Sequence, residues 1–277
     1  MHLSRALLAC HHCGAEEPLP FACPRCGNEL APVGEGTERV ETTLKQLFPA
    51  ATLVRIDRDV IRRRGDLEEA LASVNDGRAR ILLGTQMLTK GHDFPDVTLV
   101  IVLAADQGLF GADFRASERL AQQIVQVAGR AGRGDRPGEV LIQTSYPEHP
   151  LLKCLITQGY EGFASLALEE RRAARWPPFS HLALLRADSP ARSEAFDFLH
   201  AAEAAAPDSR GGRIRLLGPA PAAMARRAGR HRAQLLVESP VRGALQAFLA
   251  EWVDELAKLN APRSLRWSLD VDPAEVD

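Results

Sequence analysis

The sequence predicts an α/β fold in three parts, and three observations carry that expectation. Short apolar strands alternate with amphipathic helices from residue 36 to residue 150, four cysteines stand in register near the start, and from residue 181 the order becomes β-α-β-β-α-β. Alternating strands and helices, with several strands apolar throughout, indicate a mostly parallel sheet covered on both faces. The later order indicates a small split βαβ sandwich. At 277 residues the chain can hold one large domain or two modest ones around a real core.

The cysteines come first. Cys10, Cys13, Cys23 and Cys26 form C-x2-C-x9-C-x2-C in two knuckle-like turns, CHHCG and CPRCG. Two thiolates separated by two residues can grip a tetrahedral zinc ion, and the glycine after each second cysteine lets the turn close. A redox Cys-x-x-Cys follows a strand and opens a helix, and neither pair has that setting. Spacing alone places all four thiols on one ion. His11 and His12 read as solvated turn residues, and Cys154, alone in LLKCLI, as a core thiol. No apolar run nears the length of a membrane span, since the longest candidate covers only residues 97–105. The chain reads as cytoplasmic, where disulfides are rare, and no membrane partner is expected. Lys+Arg 34 against Asp+Glu 36 gives a net charge of -2, so bulk charge does not point to nucleic acid. A local patch can still bind phosphates.

In the middle region Thr37 is placed to cap a helix whose apolar face holds Val40, Leu44 and Leu47. Strands follow at 53–56, 80–83, 98–104 and 139–143, with Asp66 at the start of a short helix and another helix at 117–128. Glycine and polar residues gather past the carboxyl ends of these strands, the edge where open α/β sheets place their sites. Two segments there exceed what packing explains. Gly84 to Phe94 contains Thr85, Lys90, Gly91 and Asp93 in one polar loop; Gln126 to Gly134 contains Gly129, Arg130 and Arg133. Paired guanidiniums beside a glutamine suit a polyphosphate. No G-x-x-x-x-G-K-[ST], catalytic serine elbow or H-E-x-x-H occurs, and Asp57/Asp59 form an acidic pair with no partner motif.

A helix at 151–175 ends at Trp176-Pro177-Pro178, because proline cannot continue it. Strands at 181–186, 214–217, 233–238 and 265–271 and helices at 190–205 and 241–259 complete the βαββαβ order, with a turn at Gly218-Pro219-Ala220-Pro221. Between the middle strands a loop carries Arg226, Arg227, Arg230 and Arg232, dense enough to attract a phosphate backbone without reading bases. Arg62, Arg63 and Arg64 make a weaker case of the same kind.

GTQMLTKGHDFPDVTLVIVLAAD resembles the fifth conserved motif of superfamily 2 helicases, and QQIVQVAGRAGRGDRPGEV resembles the sixth. With RIDRD (55–59), ADFRASER (112–119), YPEHPLL (146–152), LEERRAARWPPF (168–179) and SLDVDP (268–273), they are similar to one family, the bacterial replication-restart helicases called primosomal protein N′. The resemblance covers nearly the whole chain. It implies a zinc-ribbon segment at 1–35, one RecA-like parallel-sheet helicase lobe at 36–150, a helical linker at 151–180 and a carboxyl-terminal α/β domain at 181–277. It implies that Gly84, Thr85, Lys90, Gly91 and Asp93 couple a nucleotide site to single-stranded DNA, and that Gln126, Gly129, Arg130 and Arg133 form the sixth motif, whose arginines reach the γ-phosphate between two lobes.

By the same resemblance the enzyme is an ATP-dependent 3′-to-5′ DNA helicase using ATP with Mg2+. It would start primosome assembly at stalled or branched forks, alongside single-strand-binding protein, other primosome proteins and the replicative helicase loading machinery. The family's first lobe, with its Walker A lysine and acidic box, has no counterpart in these residues, so the expectation is a carboxyl-terminal portion inactive as an ATPase alone. The alternative is a non-catalytic zinc and DNA-binding module that keeps the lobe as a scaffold. The family carries eight cysteines in four interleaved pairs. Cys10/Cys13 and Cys23/Cys26 resemble the third and fourth pairs, which assigns them to two Zn2+ ions rather than one. A single site shared by the four thiols remains the other option.

Overall fold

The structure is a computed structural model, and it describes residues 2–4, 7–9, 16–18, 20, 22–23, 26–29, 36–57, 60–61, 64–85, 94, 96–111, 113–129, 138–208 and 211–276. The chain forms two compact units. One comprises Phe21–Gly111 with Ala116–Ala164; the other comprises Met1–Pro20, Ala112–Arg115 and Ser165–Asp277.

In the first unit, helix α1 (Thr37–Leu47) precedes strand β4 (Leu53–Ile56), helix α2 (Arg64–Asn75) and strand β5 (Ile81–Gly84). The short strands β1 (His2–Ser4), β2 (Leu7–Ala9) and β3 (Glu16–Pro18) come earlier in the chain and form an antiparallel sheet in the other unit. That sheet had no signature in the sequence reading. β4 pairs with β5 in parallel, Leu53 opposite Ile81 through Ile56 opposite Gly84. Strand β6 (Leu99–Val102) pairs in parallel with β7 (Glu139–Ile142), and helices α3 (Asp106–Leu109) and α4 (Ala116–Ala128) lie between them in sequence. Parallel pairing is as expected, although the described residues form two separate two-stranded ladders.

Three local expectations are corrected. Thr37 is not the cap: Gly36 occupies that position, and the Thr37 hydroxyl instead donates to Asp57 Oδ2 at 2.9 Å. On α1 Val40 is buried, but Leu47 is 65% exposed, so the apolar face stops short of the helix end. β6 was expected to be covered on both faces, yet Leu99 and Ile101 are 47% and 53% exposed. Its burial alternates, the pattern of a strand packed on one face only. α4 buries Leu120, Ala121 and Ile124, one stripe of a helix with 3.6 residues per turn.

Helix α5 (Pro150–Ala174) begins with proline, whose missing N–H would be unpaired there anyway, and is broken by Gly159 at φ +72°. Next come β8 (His181–Ser189), α6 (Arg192–Ala204), β9 (Arg215–Arg227), β10 (Arg230–Ser239), α7 (Arg242–Lys258) and β11 (Arg266–Val271). The sheet order is β11-β8-β10-β9, antiparallel throughout, which is the split βαβ arrangement. Ala183, Leu185 and Ala187 of β8 and Ala233, Leu235 and Val237 of β10 meet Phe198, Leu199, Phe248 and Trp252 in one core. Trp252 is fully buried, and its indole N–H donates to Ala202 O at 2.9 Å.

The turn expected at Gly218–Pro221 is instead part of β9. That strand is at the sheet edge, where a proline without an N–H is tolerated, and it bulges against β10 on either side of the Ala233–Pro221 pair. The chain reverses at Ala228-Gly229, both at positive φ (48° and 77°), between the pair Arg227–Arg230. A two-residue hairpin needs that left-handed conformation, which glycine supplies at no steric cost. The arginine loop is therefore a β-hairpin tip.

Candidate functional site

Parallel pairing of β4 and β5 brings their carboxyl ends together, so Asp57 follows Ile56 beside Gly84 and Thr85. Asp57 is only 4% exposed: it accepts from Thr37 Oγ1 at 2.9 Å and from the Val60 N–H at 3.0 Å, and Arg55 Nε lies 3.0 Å away. Arg55 also donates to Glu41 at 2.7 Å. The hydrogen bond from Lys45, then the charges of Lys45 and Arg55, hold the Glu41 carboxyl below its ordinary value of 4.5. Asp57 is thus an anchor tying α1 to the strand edge. Sequence reading set it down as an acidic pair without a motif; its position directly after a strand was the signal for a structural role.

Gly84 closes β5 and Thr85 is exposed just beyond it. Lys90, Gly91 and Asp93 lie outside the described residues, as do Arg130 and Arg133. Gln126 is exposed on the last turn of α4, and Gly129 follows with its N–H on Val125 O at 2.9 Å. At the ends of β6 and β7, Asp106 accepts from the Thr144 hydroxyl and from the Ser145 N–H at 3.0 Å, which holds its carboxyl below 3.8. Sequence reading also missed the close approach of α3 to α4: a Cβ on Gly108 would lie 2.8 Å from that of Leu120, and one on Gly111, just past α3, would lie 2.5 Å from that of Ala116.

Cys23 is half-buried and Cys26 exposed on a tight turn between the bridged residues Ala22 and Glu29. The Gly27 N–H reaches Cys23 O, and the Cys23 N–H reaches Asn28 O, both at 2.8 Å, with Gly27 at φ +73°. Two thiols three residues apart on such a turn fit half of a tetrahedral zinc site. Cys10 and Cys13 lie outside the described residues, and no group of three or more metal-binding side chains occurs among those described. A zinc ribbon is not itself visible there.

The four arginines of the hairpin divide between its faces. Cross-strand partners share a face, so Arg227 and Arg230 point one way with Arg232, and Arg226 and His231 point the other. Arg227, Arg230 and Arg232 line a cavity of about 410 Å³ together with Arg186 and Arg266. Sequence reading missed the last two, because only the strand register brings them near the hairpin.

Residues 172–274 match the primosomal protein N C-terminal domain, and residues 35–135 match the helicase conserved C-terminal domain. The replication restart protein PriA of Haemophilus influenzae is 45% identical over 283 residues, covering 99% of this chain. The chain matches the PriA family. PriA of Synechocystis is 40% identical over 98% of the chain, and PriA of Bacillus subtilis 38% over 96%. The chain spans 38%, 32% and 33% of the lengths of these three relatives. The helicase-domain match takes in α1, β4, α2, β5, β6, α3 and α4 and stops short of β7, and the match over residues 172–274 takes in β8 to β11. No helix among the described residues is long and apolar enough to cross a membrane.

Proposed function

We propose that this chain acts in replication restart as a DNA-binding module built on a helicase lobe, without ATP turnover of its own. The observation that carries the reading is the set of arginines brought together on one face of the carboxyl-terminal sheet, in a chain whose overall charge is -2. A basic patch of this kind binds phosphate backbones through charge and lets the rest of the surface stay acidic. The DNA would be single-stranded or branched, as at a stalled fork, and recognition would be independent of sequence.

A second role is favoured by the helicase-domain match over residues 35–135. Within an ATP-dependent 3′-to-5′ helicase, Gln126, Arg130 and Arg133 would stabilise the charge that develops on the transferred phosphoryl group. Gly84, Thr85, Lys90, Gly91, Asp93 and Gly129 would link that event to the DNA strand. ATP and Mg2+ would be held by a phosphate cradle of the kind that these 277 residues do not contain. Zinc, when bound by Cys10, Cys13, Cys23 and Cys26, would brace the amino-terminal segment, which would dock single-strand-binding protein and other primosome proteins. The purified chain is expected to retain labelled single-stranded DNA while releasing no phosphate from ATP above the buffer rate. DNA-stimulated turnover near that of a complete helicase would overturn the assignment.

A further inference from the structure

We propose that Arg227, Arg232 and Arg266 form a phosphate-binding pocket for a nucleic-acid strand on the sheet face turned away from α6 and α7, with Arg230 as the strut that holds it open. The proposal rests on the DNA-binding reading above and narrows it to particular side chains.

Sheet geometry sets the pocket. Ala183, Leu185 and Ala187 of β8 face the helices, so Arg186 and Asp188 face the other way. Register then places Arg232 of β10 and Arg266 of β11 directly opposite Asp188, one on each side. These two positions are two strands apart, about 10 Å, a span that long arginine side chains can close onto one phosphate or divide between neighbouring ones.

Asp188 does not neutralise that pair. It is taken by Arg230, whose Nε donates to the carboxylate while Nη2 donates to Asp188 O at 2.9 Å and to Ser264 O at 2.6 Å. Arg230 thereby fastens the base of the hairpin tip to β8 and to the chain entering β11, with three of its five N–H donors engaged. Arg186 is likewise occupied: it donates to Asp270 at 3.2 Å and to Glu275 O at 2.7 Å. Arg227, Arg232 and Arg266 have no hydrogen-bond or ion-pair partner among the described residues.

Three guanidiniums held on a rigid sheet around a cavity, with no internal partner, are donors awaiting an anion. At about 410 Å³ the cavity falls within the range of small-ligand sites, roughly 300–1,000 Å³, which suits a nucleotide unit better than a flat contact does. Its other lining is chiefly alanine and serine, and the Trp267 ring is already stacked on Phe198 at 5.9 Å. That leaves little apolar purchase for the side chains of an acidic peptide, so the phosphodiester backbone is the favoured occupant.

The test is a titration of the full 277-residue chain with a labelled single-stranded oligonucleotide over a salt series, paired with thermal melting. Arg227→Gln, Arg232→Gln and Arg266→Gln should each weaken binding several-fold, lower the log–log salt slope by about 0.7 and leave the melting temperature unchanged. Arg230→Gln should lower the melting temperature. Arg192→Gln, on α6, is the control and should change neither, and Arg226→Gln should cost less affinity than Arg227→Gln. If the wild type binds and the three pocket variants keep its affinity and slope, the pocket is wrong while the DNA-binding reading stands. If the wild type does not bind, the reading falls and the pocket with it. An acidic peptide whose binding needs Arg232, with oligonucleotide binding indifferent to it, would also overturn the proposal.

Discussion

Replacing Asp57 with alanine tests whether that carboxylate anchors α1 to the strand edge. The side chain is 4% exposed and accepts hydrogen bonds from Thr37 Oγ1 at 2.9 Å and the Val60 N–H at 3.0 Å. Hydrogen bonds to a charged group contribute about 1.5–3 kcal/mol each. Removing the carboxylate also relieves its own desolvation, and Arg55 keeps Glu41 at 2.7 Å, so its charge is not left unpaired. The net loss should be about 3 kcal/mol, a large share of the 5–15 kcal/mol typical of a domain. Asp57→Asn keeps the volume and one acceptor and should cost less. The assay is urea unfolding followed by far-UV circular dichroism, with hydrogen exchange read on peptides from α1 and β4. Trp176, Trp252 and Trp267 all belong to the other unit, so tryptophan emission does not report this site directly. A loss below about 0.5 kcal/mol, the range of an ordinary surface substitution, with exchange in α1 unchanged, would refute the anchoring argument.

Gly111→Ala places a Cβ 2.5 Å from that of Ala116 and should cost about 1–3 kcal/mol through overpacking, read as a lower melting temperature. Asp106 is held below its ordinary value of 3.8, first by the Thr144 hydrogen bond and then by Ser145. Its stabilisation is therefore present above pH 3.8 and is lost as pH falls through the lowered value. Unfolding measured across that range should lose its acid dependence in part in Asp106→Asn, and an identical acid limb would count against a stabilising role for the Asp106–Thr144 hydrogen bond. Zinc content should drop when Cys23 and Cys26 are both replaced by serine, as measured by atomic absorption on protein purified without chelator. Equal zinc in the variant would remove that pair from the site.

Much of the fold could be read from residue pattern. The strand Leu53–Ile56 lies where its β-branched and apolar residues place it, and the βαββαβ order of the carboxyl-terminal domain follows from alternation alone. The reading failed where two local signals competed. Gly218-Pro219-Ala220-Pro221 has turn composition, but an edge strand with bulges accommodates it, and the reversal went to Ala228-Gly229. Thr37 has cap chemistry, but Asp57, twenty residues on, offers its hydroxyl a buried partner. The exposure of Leu99 and Ile101 depends on which elements cover β6, which composition does not encode. The arginines show the same limit. A linear cluster drew attention to Arg226 and Arg230, whereas strand register removes the first from the cavity, engages the second with Asp188, and brings in Arg266 from 34 residues beyond Arg232.

The most direct test of the account is the salt dependence of binding between the 277-residue chain and a forked oligonucleotide, followed by fluorescence anisotropy. Three arginine–phosphate contacts predict binding that strengthens as salt falls, with a log–log slope of about -2 to -3 that is the same with and without ATP. A slope near zero, or no binding at low salt, would contradict it.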